Sequence, residues 1–91
     1  MSRAFVDDDR DESGRPRRHF DLPPRDDPSF DLAAARALLE AARDGQTADA
    51  EIETGYYWGE PRLKPHVERL LAEAEQADDD RLAQLARRFL R

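Results

Sequence analysis

The acidic side chains at positions 49, 51 and 53 have the spacing that comes nearest to supporting chemistry in this chain. Asp49 and Glu53 lie four residues apart on a predicted helix, where two carboxylates on one face could hold a hard cation. Acidic residues near a helix N-terminus are already favoured by the helix dipole, which explains them without a metal. The run Asp78-Asp79-Asp80 lacks the glycine turn of a calcium loop and is interpreted as a helix cap. We therefore predict no metal and no cofactor.

Acid–base or nucleophilic catalysis would need a reactive side chain beside a second one that activates it. The chain has no cysteine, and its two histidines, His19 and His66, have no other histidine at metal-ligand spacing. His66 follows Pro65 and is typical of an ordinary residue in a first helical turn. No glycine-rich phosphate loop and no serine nucleophile motif occurs. We predict that the protein is not an enzyme.

All the tyrosine and tryptophan of the chain is found in one run, Tyr56-Tyr57-Trp58, which is bracketed by Gly55 and Gly59. Aromatic side chains on a constrained turn either fill a small core or form a recognition surface, because they carry a large apolar area at low entropy cost. Since tryptophan is largely buried in most small folds, we predict that Trp58 packs inward. All three rings cannot easily be buried on one short turn. At least one tyrosine should therefore remain available to a protein partner.

A basic tract near the N-terminus allows a second interpretation. Arg15 lies within Gly14-Arg15-Pro16, the Gly-Arg-Pro core of an AT-hook, and Arg17 and Arg18 follow it. The arginines of an AT-hook enter the minor groove of DNA. The acidic run from Asp7 to Glu12 lies directly upstream, and the formal net charge of −6 opposes binding to phosphate backbones or anionic lipid. A charge-balanced linker is the favoured interpretation. Nucleic-acid binding through these arginines is kept as the alternative.

The N-terminal leader has a distinctive order of segments. Met1-Ser2-Arg3-Ala4-Phe5-Val6 is followed by an acidic stretch and then by Leu22-Pro23-Pro24-Arg25. This leader resembles that of some Gre-type transcription elongation factors. The resemblance implies binding to bacterial RNA polymerase, into whose secondary channel these factors insert an acidic-tipped coiled coil. We include Arg3 and Phe5 of the leader among the predicted partner-binding residues.

A looser similarity to the same factors continues in residues 45–51 and 57–63. By that alignment Asp49 matches the glutamate of the family's acidic tip, whereas Gln46 stands where the family has an aspartate. The resemblance therefore implies a reduced or diverged relative without transcript-cleavage activity.

Apolar periodicity predicts an all-α fold of three main helices and one short helix, preceded by a disordered or extended tail. Residues 1–28 are rich in proline and charge and form the predicted tail, and residues 29–91 form the predicted helical domain. The first helix should begin at Asp27-Pro28-Ser29, where a capping side chain precedes a first-turn proline, and should end near Arg43, before Gly45. A short helix over 48–54 should bury Ile52.

Two further helices complete the predicted bundle. One opens at Pro61 or Pro65, and the next follows the acidic cap at 78–80. The best-spaced large apolar residues are expected at the centre of the fold: Leu70, Leu71, Leu82, Leu85 and Phe89.

These features together predict a small, acidic, non-enzymatic module that binds another protein. The absence of cysteine, of a signal-peptide pattern and of a membrane-spanning run predicts a cytoplasmic protein without membrane contact. Two alternatives stay open: a nucleic-acid-binding accessory protein, and a structural subunit whose tail runs along a larger assembly. Self-association is also compatible with so small a core.

Overall fold

A computed structural model describes residues 19–91, which form four α-helices and one turn of 3₁₀-helix. The elements in chain order are α1 (Phe30–Arg43), α2 (Thr47–Thr54), the 3₁₀ turn (Pro61–Leu63), α3 (Lys64–Gln76) and α4 (Asp80–Leu90). Within residues 19–91 there is no strand. The prediction of an all-α fold with three main helices and one short helix is confirmed.

The first helix begins at Phe30, two residues after the Pro28 that was predicted to lie in its first turn. Asp27 accepts hydrogen bonds from the Ser29 backbone N–H at 2.8 Å and from the Ser29 hydroxyl at 2.7 Å. The bond from the Ser29 hydroxyl, followed by the bond from its backbone, lowers the pKa of Asp27 below its ordinary value. The carboxylate thus fixes the turn that leads into α1, while the helix itself starts at Phe30. At the other end Gly45 adopts a φ of 72°, as predicted for a residue that terminates a helix.

The acidic cap of α4 also joins two helix ends. Asp79 accepts the backbone N–H of Leu82 at 3.2 Å, which satisfies a free donor of the first turn of α4. Arg43 at the end of α1 donates to both carboxylate oxygens of Asp79, at 2.8 and 2.9 Å. Both interactions lower the pKa of Asp79, and the hydrogen bond from Arg43 has the larger effect. The turn between α3 and α4 is thereby fixed against the end of α1.

The core lies where α1 crosses the antiparallel pair formed by α3 and α4. Its large, fully buried side chains come from all three helices and from the 3₁₀ turn: Leu38, Leu39, Leu63, Val67, Leu70, Leu85 and Phe89. Leu70, Leu85 and Phe89 are buried as the sequence predicted.

Two of the predicted central residues lie at the edge of the core. Leu71 and Leu82 are only half-buried and pack against the outside of the core cluster. The prediction that they lie at the centre of the fold was therefore wrong. The positions nearest the middle of the bundle belong instead to Leu38 and Leu39 of α1, because α1 contacts both helices of the pair.

Alanines let α1 approach its neighbours closely. Ala34, Ala35 and Ala41 have no exposed surface, and the short side chain of each faces another element. Because alanine extends only one carbon from the backbone, the helices can lie closer together than leucine would allow.

The segment before α1 has no helix or strand, yet part of it packs on the helices. Phe20 is half-buried against the core. The Arg25 guanidinium donates to the backbone carbonyl of Thr54 at 3.0 Å and lies 5.2 Å from the centre of the Phe30 ring. The contacts of Arg25 show that the folded domain includes residues before Pro28.

Candidate functional site

The aromatic turn that follows α2 is held by hydrogen bonds to α2 itself. Gly55 ends the helix with a φ of 78°, and the Thr54 hydroxyl accepts the backbone N–H of Tyr56 at 3.1 Å while donating to the Ala50 carbonyl at 2.7 Å. The Glu51 carboxylate accepts the backbone N–H of Trp58 at 2.9 Å. The three rings are therefore presented by a fixed backbone.

Tyr56 fastens the turn to α1. Its hydroxyl donates to the Asp31 carboxylate at 2.8 Å, and its ring centre lies 6.3 Å from that of Phe30 with a 49° angle between the planes. The side chain is half-buried. With both the ring and the hydroxyl engaged inside the domain, Tyr56 has a structural role, and its surface for a partner is limited.

Trp58 packs against the last helix. Its ring meets that of Phe89 edge to face, with 4.9 Å between the centres and 63° between the planes, a favourable geometry for two aromatic rings. The residue is half-buried and lies at the border of the core cluster. The inward packing of Trp58 agrees with the sequence prediction, although its burial is partial.

Tyr57 points into solvent, with 76% of its surface exposed. Beside it lies Ile52 of α2, which is 60% exposed, and these two are the large exposed hydrophobic residues of the chain from His19 onward. A shallow recess between them is lined also by Ala48, Glu51 and Gly55. We call the surface formed by Ala48, Ile52 and Tyr57 the Tyr57 face.

The predicted burial of Ile52 was wrong. Ala50 and Thr54, one helical turn apart, are the residues of α2 that face α1 and have no exposed surface. Ile52 lies midway between them in sequence and so projects from the other side of the helix.

The sequence-predicted residues fall into two groups. Tyr56, Tyr57 and Trp58 share one turn but have different environments, as described above. The remaining predicted residues lie outside the described part of the chain: Arg3, Phe5, Arg15, Arg17 and Arg18.

Two of the residues considered for chemistry, His19 and Glu51, form contacts within the domain. His19 lies with its Nδ1 3.4 Å from a carboxylate oxygen of Glu53, and the Glu51 carboxylate is used by the Trp58 backbone. Residues 19–91 contain no cluster of three or more histidine, aspartate or glutamate side chains arranged to hold a metal ion. None of the helices over the same residues is long and apolar enough to cross a membrane.

Comparison with known proteins identifies no family from which a function could be inferred. No family model matches the chain, and neither curated proteins nor solved structures provide a match. The functional argument therefore rests on the geometry of this chain.

Proposed function

We propose that the protein is a non-enzymatic interaction module that binds another protein through the Tyr57 face. The observation that carries this proposal is the exposure of Tyr57 beside Ile52 in a domain that otherwise buries its large apolar side chains. Exposed aromatic residues at the centre of a contact commonly provide a large share of its binding free energy. A cytoplasmic location is part of the same proposal.

The backbone of the turn supports this role. Gly55 and the Glu51–Trp58 hydrogen bond fix the chain on either side of Tyr57, while the neighbouring rings anchor the turn to α1 and α4. A side chain presented on a fixed backbone loses less entropy on association than one on a mobile loop. Tyr57 is therefore placed to enter an apolar pocket of a partner without folding first.

The charge of the domain and the leader suggest what the partner is. Residues 1–18 contain five arginines and five acidic residues, so the formal net charge of −6 belongs wholly to residues 19–91. An acidic domain favours a partner with a basic rim around its apolar pocket. The resemblance of the leader to Gre-type factors makes bacterial RNA polymerase the partner that we propose, with Arg3 and Phe5 as additional contacts.

The test is capture of purified bacterial RNA polymerase by the immobilised full-length protein. Tyr57→Ala should weaken binding by about 1–3 kcal/mol, and Ile52→Ala should weaken it in the same direction, because both remove apolar surface from the contact. Glu68→Ala, at an exposed position of α3, is the control and should bind as the wild type does.

Each result has a distinct meaning. If the wild-type protein captures no polymerase, the proposed partner is wrong. If it captures polymerase and Tyr57→Ala binds equally well, the Tyr57 face is not the contact.

A further inference from the structure

A second recess lies between the start of α2 and one side of α4. This groove has a volume of about 270 Å³ and is lined by six residues: Ala42, Thr47, Trp58, Arg81, Leu85 and Arg88. None of them lines the recess beside Tyr57. The two recesses therefore have separate linings.

The cations of the groove are not neutralised by neighbouring carboxylates. Arg81, Leu85 and Arg88 follow each other at four- and three-residue spacing, so they share one face of α4. Arg81 donates to the neutral side chain of Gln84 at 3.3 Å, and within residues 19–91 neither Arg81 nor Arg88 forms an ion pair. Four other arginines of this part of the chain do pair with carboxylates: Arg36, Arg43, Arg69 and Arg87.

The groove combines this charge with an apolar floor. Leu85, Ala42 and the half-buried Trp58 line the groove together with the two arginines and with Thr47 of α2. A ligand that matches the groove carries carboxylates next to an apolar side chain. Its volume lies slightly below the range of pockets that enclose cofactors or drug-sized ligands, about 300–1,000 Å³, and suits one or two side chains of a peptide.

We propose that the groove binds an acidic peptide segment and that its occupant is the chain's own run Phe5-Val6-Asp7-Asp8-Asp9. This segment places two apolar side chains directly before three carboxylates. The aspartates pair with Arg81 and Arg88, and an apolar side chain of the segment lies on the floor beside Trp58. The groove is a second binding surface, separate from the Tyr57 face. Because Phe5 is also a proposed polymerase contact, the leader must leave the groove when it contacts polymerase.

The chain is long enough for this contact. His19 lies against Glu53 of α2, and Thr47, six residues earlier on the same helix, lines the groove. Six helical residues correspond to about 9 Å along the axis. The residues from Asp9 to His19 can extend over about 33 Å, so the segment reaches the groove with ample slack.

The composition of the protein permits a direct test in the full-length chain. Trp58 is the sole tryptophan and lines the groove, and the absence of cysteine allows one nitroxide label to be attached at Ala4→Cys. A nitroxide at near contact quenches tryptophan fluorescence. We expect loss of Trp58 emission in the labelled protein and its recovery when ascorbate reduces the nitroxide. The loss should disappear at about 1 M salt, where the screening length falls to about 3 Å.

Two charge-matched double variants of the labelled protein locate the contact. The first, Arg81→Gln with Arg88→Gln, should abolish the quenching. A separate triple variant of the leader, with Asp7→Asn, Asp8→Asn and Asp9→Asn, should abolish it as well. Arg69→Gln with Arg87→Gln removes the same charge from exposed positions outside the groove and should leave the quenching unchanged. Far-ultraviolet circular dichroism confirms that each variant compared is folded.

Three results would overturn the proposal. Trp58 emission that is the same before and after nitroxide reduction would show that the leader does not reach the groove. Quenching that increases with protein concentration would assign the contact to the leader of another copy. Equal loss of quenching in the two arginine pairs would show that general charge, rather than the groove, attracts the segment.

Discussion

The α3–α4 pair and the region of α2 with its aromatic turn are stabilised by different forces. The pair buries large side chains such as Leu70, Leu85 and Phe89 against α1. The eight residues of α2 bury only Ala50 and Thr54. Hydrophobic burial therefore dominates in the first region, whereas the second contributes to it mainly through Ala50 and the half-buried rings of Tyr56 and Trp58.

Directed polar contacts take the place of burial around α2. Arg25 binds the carbonyl of Thr54, Glu51 binds the Trp58 backbone, and Tyr56 binds Asp31. Each such bond contributes on the order of 1 kcal/mol, less than a buried leucine or phenylalanine. The surface proposed for binding therefore lies on the less strongly stabilised part of the domain, where hydrogen bonds fix the orientation of the aromatic turn.

The largest expected effect is in the pair of helices. Phe89→Ala removes a fully buried ring and the aromatic partner of Trp58, and should lower the free energy of unfolding by about 3–5 kcal/mol. Urea denaturation followed by circular dichroism measures it. Tyr57→Ala is the control, because loss of an exposed ring should change stability by no more than about 0.5 kcal/mol. Equal losses in the two variants would contradict a core centred on the pair.

A smaller effect is expected where α2 ends. Gly55→Ala places a side chain at a φ of 78°, which costs about 1–2 kcal/mol, and its Cβ would lie 2.7 Å from an Arg25 nitrogen, so Arg25 must move. Gly45→Ala is the matched control, since its φ is 72° and its Cβ would meet nothing within 4 Å. We expect Gly55→Ala to melt at the lower temperature. Identical melting temperatures would mean that the Arg25 contact does not stabilise the fold.

The bond between the turn and α1 should contribute less. Tyr56→Phe keeps the ring contact with Phe30 but removes the donor to Asp31, and should cost about 0.5–1.5 kcal/mol. The double variant with Asp31→Ala tests the pairing, because the two losses should not add if each removes the same bond. Additive losses would assign the effect to something other than this hydrogen bond.

The smallest effect is the pH dependence contributed by Asp79. Its pKa is lowered in the folded state, chiefly by Arg43, so its contribution to stability is present above the ordinary aspartate pKa of about 4 and is lost as the pH falls through the folded value. Arg43→Gln should therefore flatten the acid limb of the stability curve. Lys64→Gln removes the same charge without breaking an ion pair of residues 19–91 and should keep the wild-type slope.

The helices were predictable because their signals are local. Gly45 after α1, the acidic cap before α4 and the spacing of leucines each act within one or two helical turns. The position of Ile52 was not predictable in the same way. On a helix of eight residues with few apolar positions, the face that packs is decided by the neighbouring helix, and here two small residues fit against α1.

The site was predictable only in part for a similar reason. The composition of the turn identified the three aromatic residues, but their separate roles depend on partners far away in sequence. Asp31 lies 25 residues before Tyr56, and Arg25 lies 29 residues before Thr54. No local pattern specifies such contacts, so the exposed member of the run could not be chosen from the sequence.

The buried alanines of α1 have a consequence for how this protein can vary in evolution. Ala34, Ala35 and Ala41 have no exposed surface, so a larger side chain at any of them would have to be accommodated inside the packed core, at a cost of about 1–3 kcal/mol. Substitution by a larger apolar residue, which the half-buried leucines should tolerate, is therefore expected to be disfavoured at these three positions. The smallest side chains of the core are thus among the hardest to replace, and sequence divergence should be concentrated away from that face of α1.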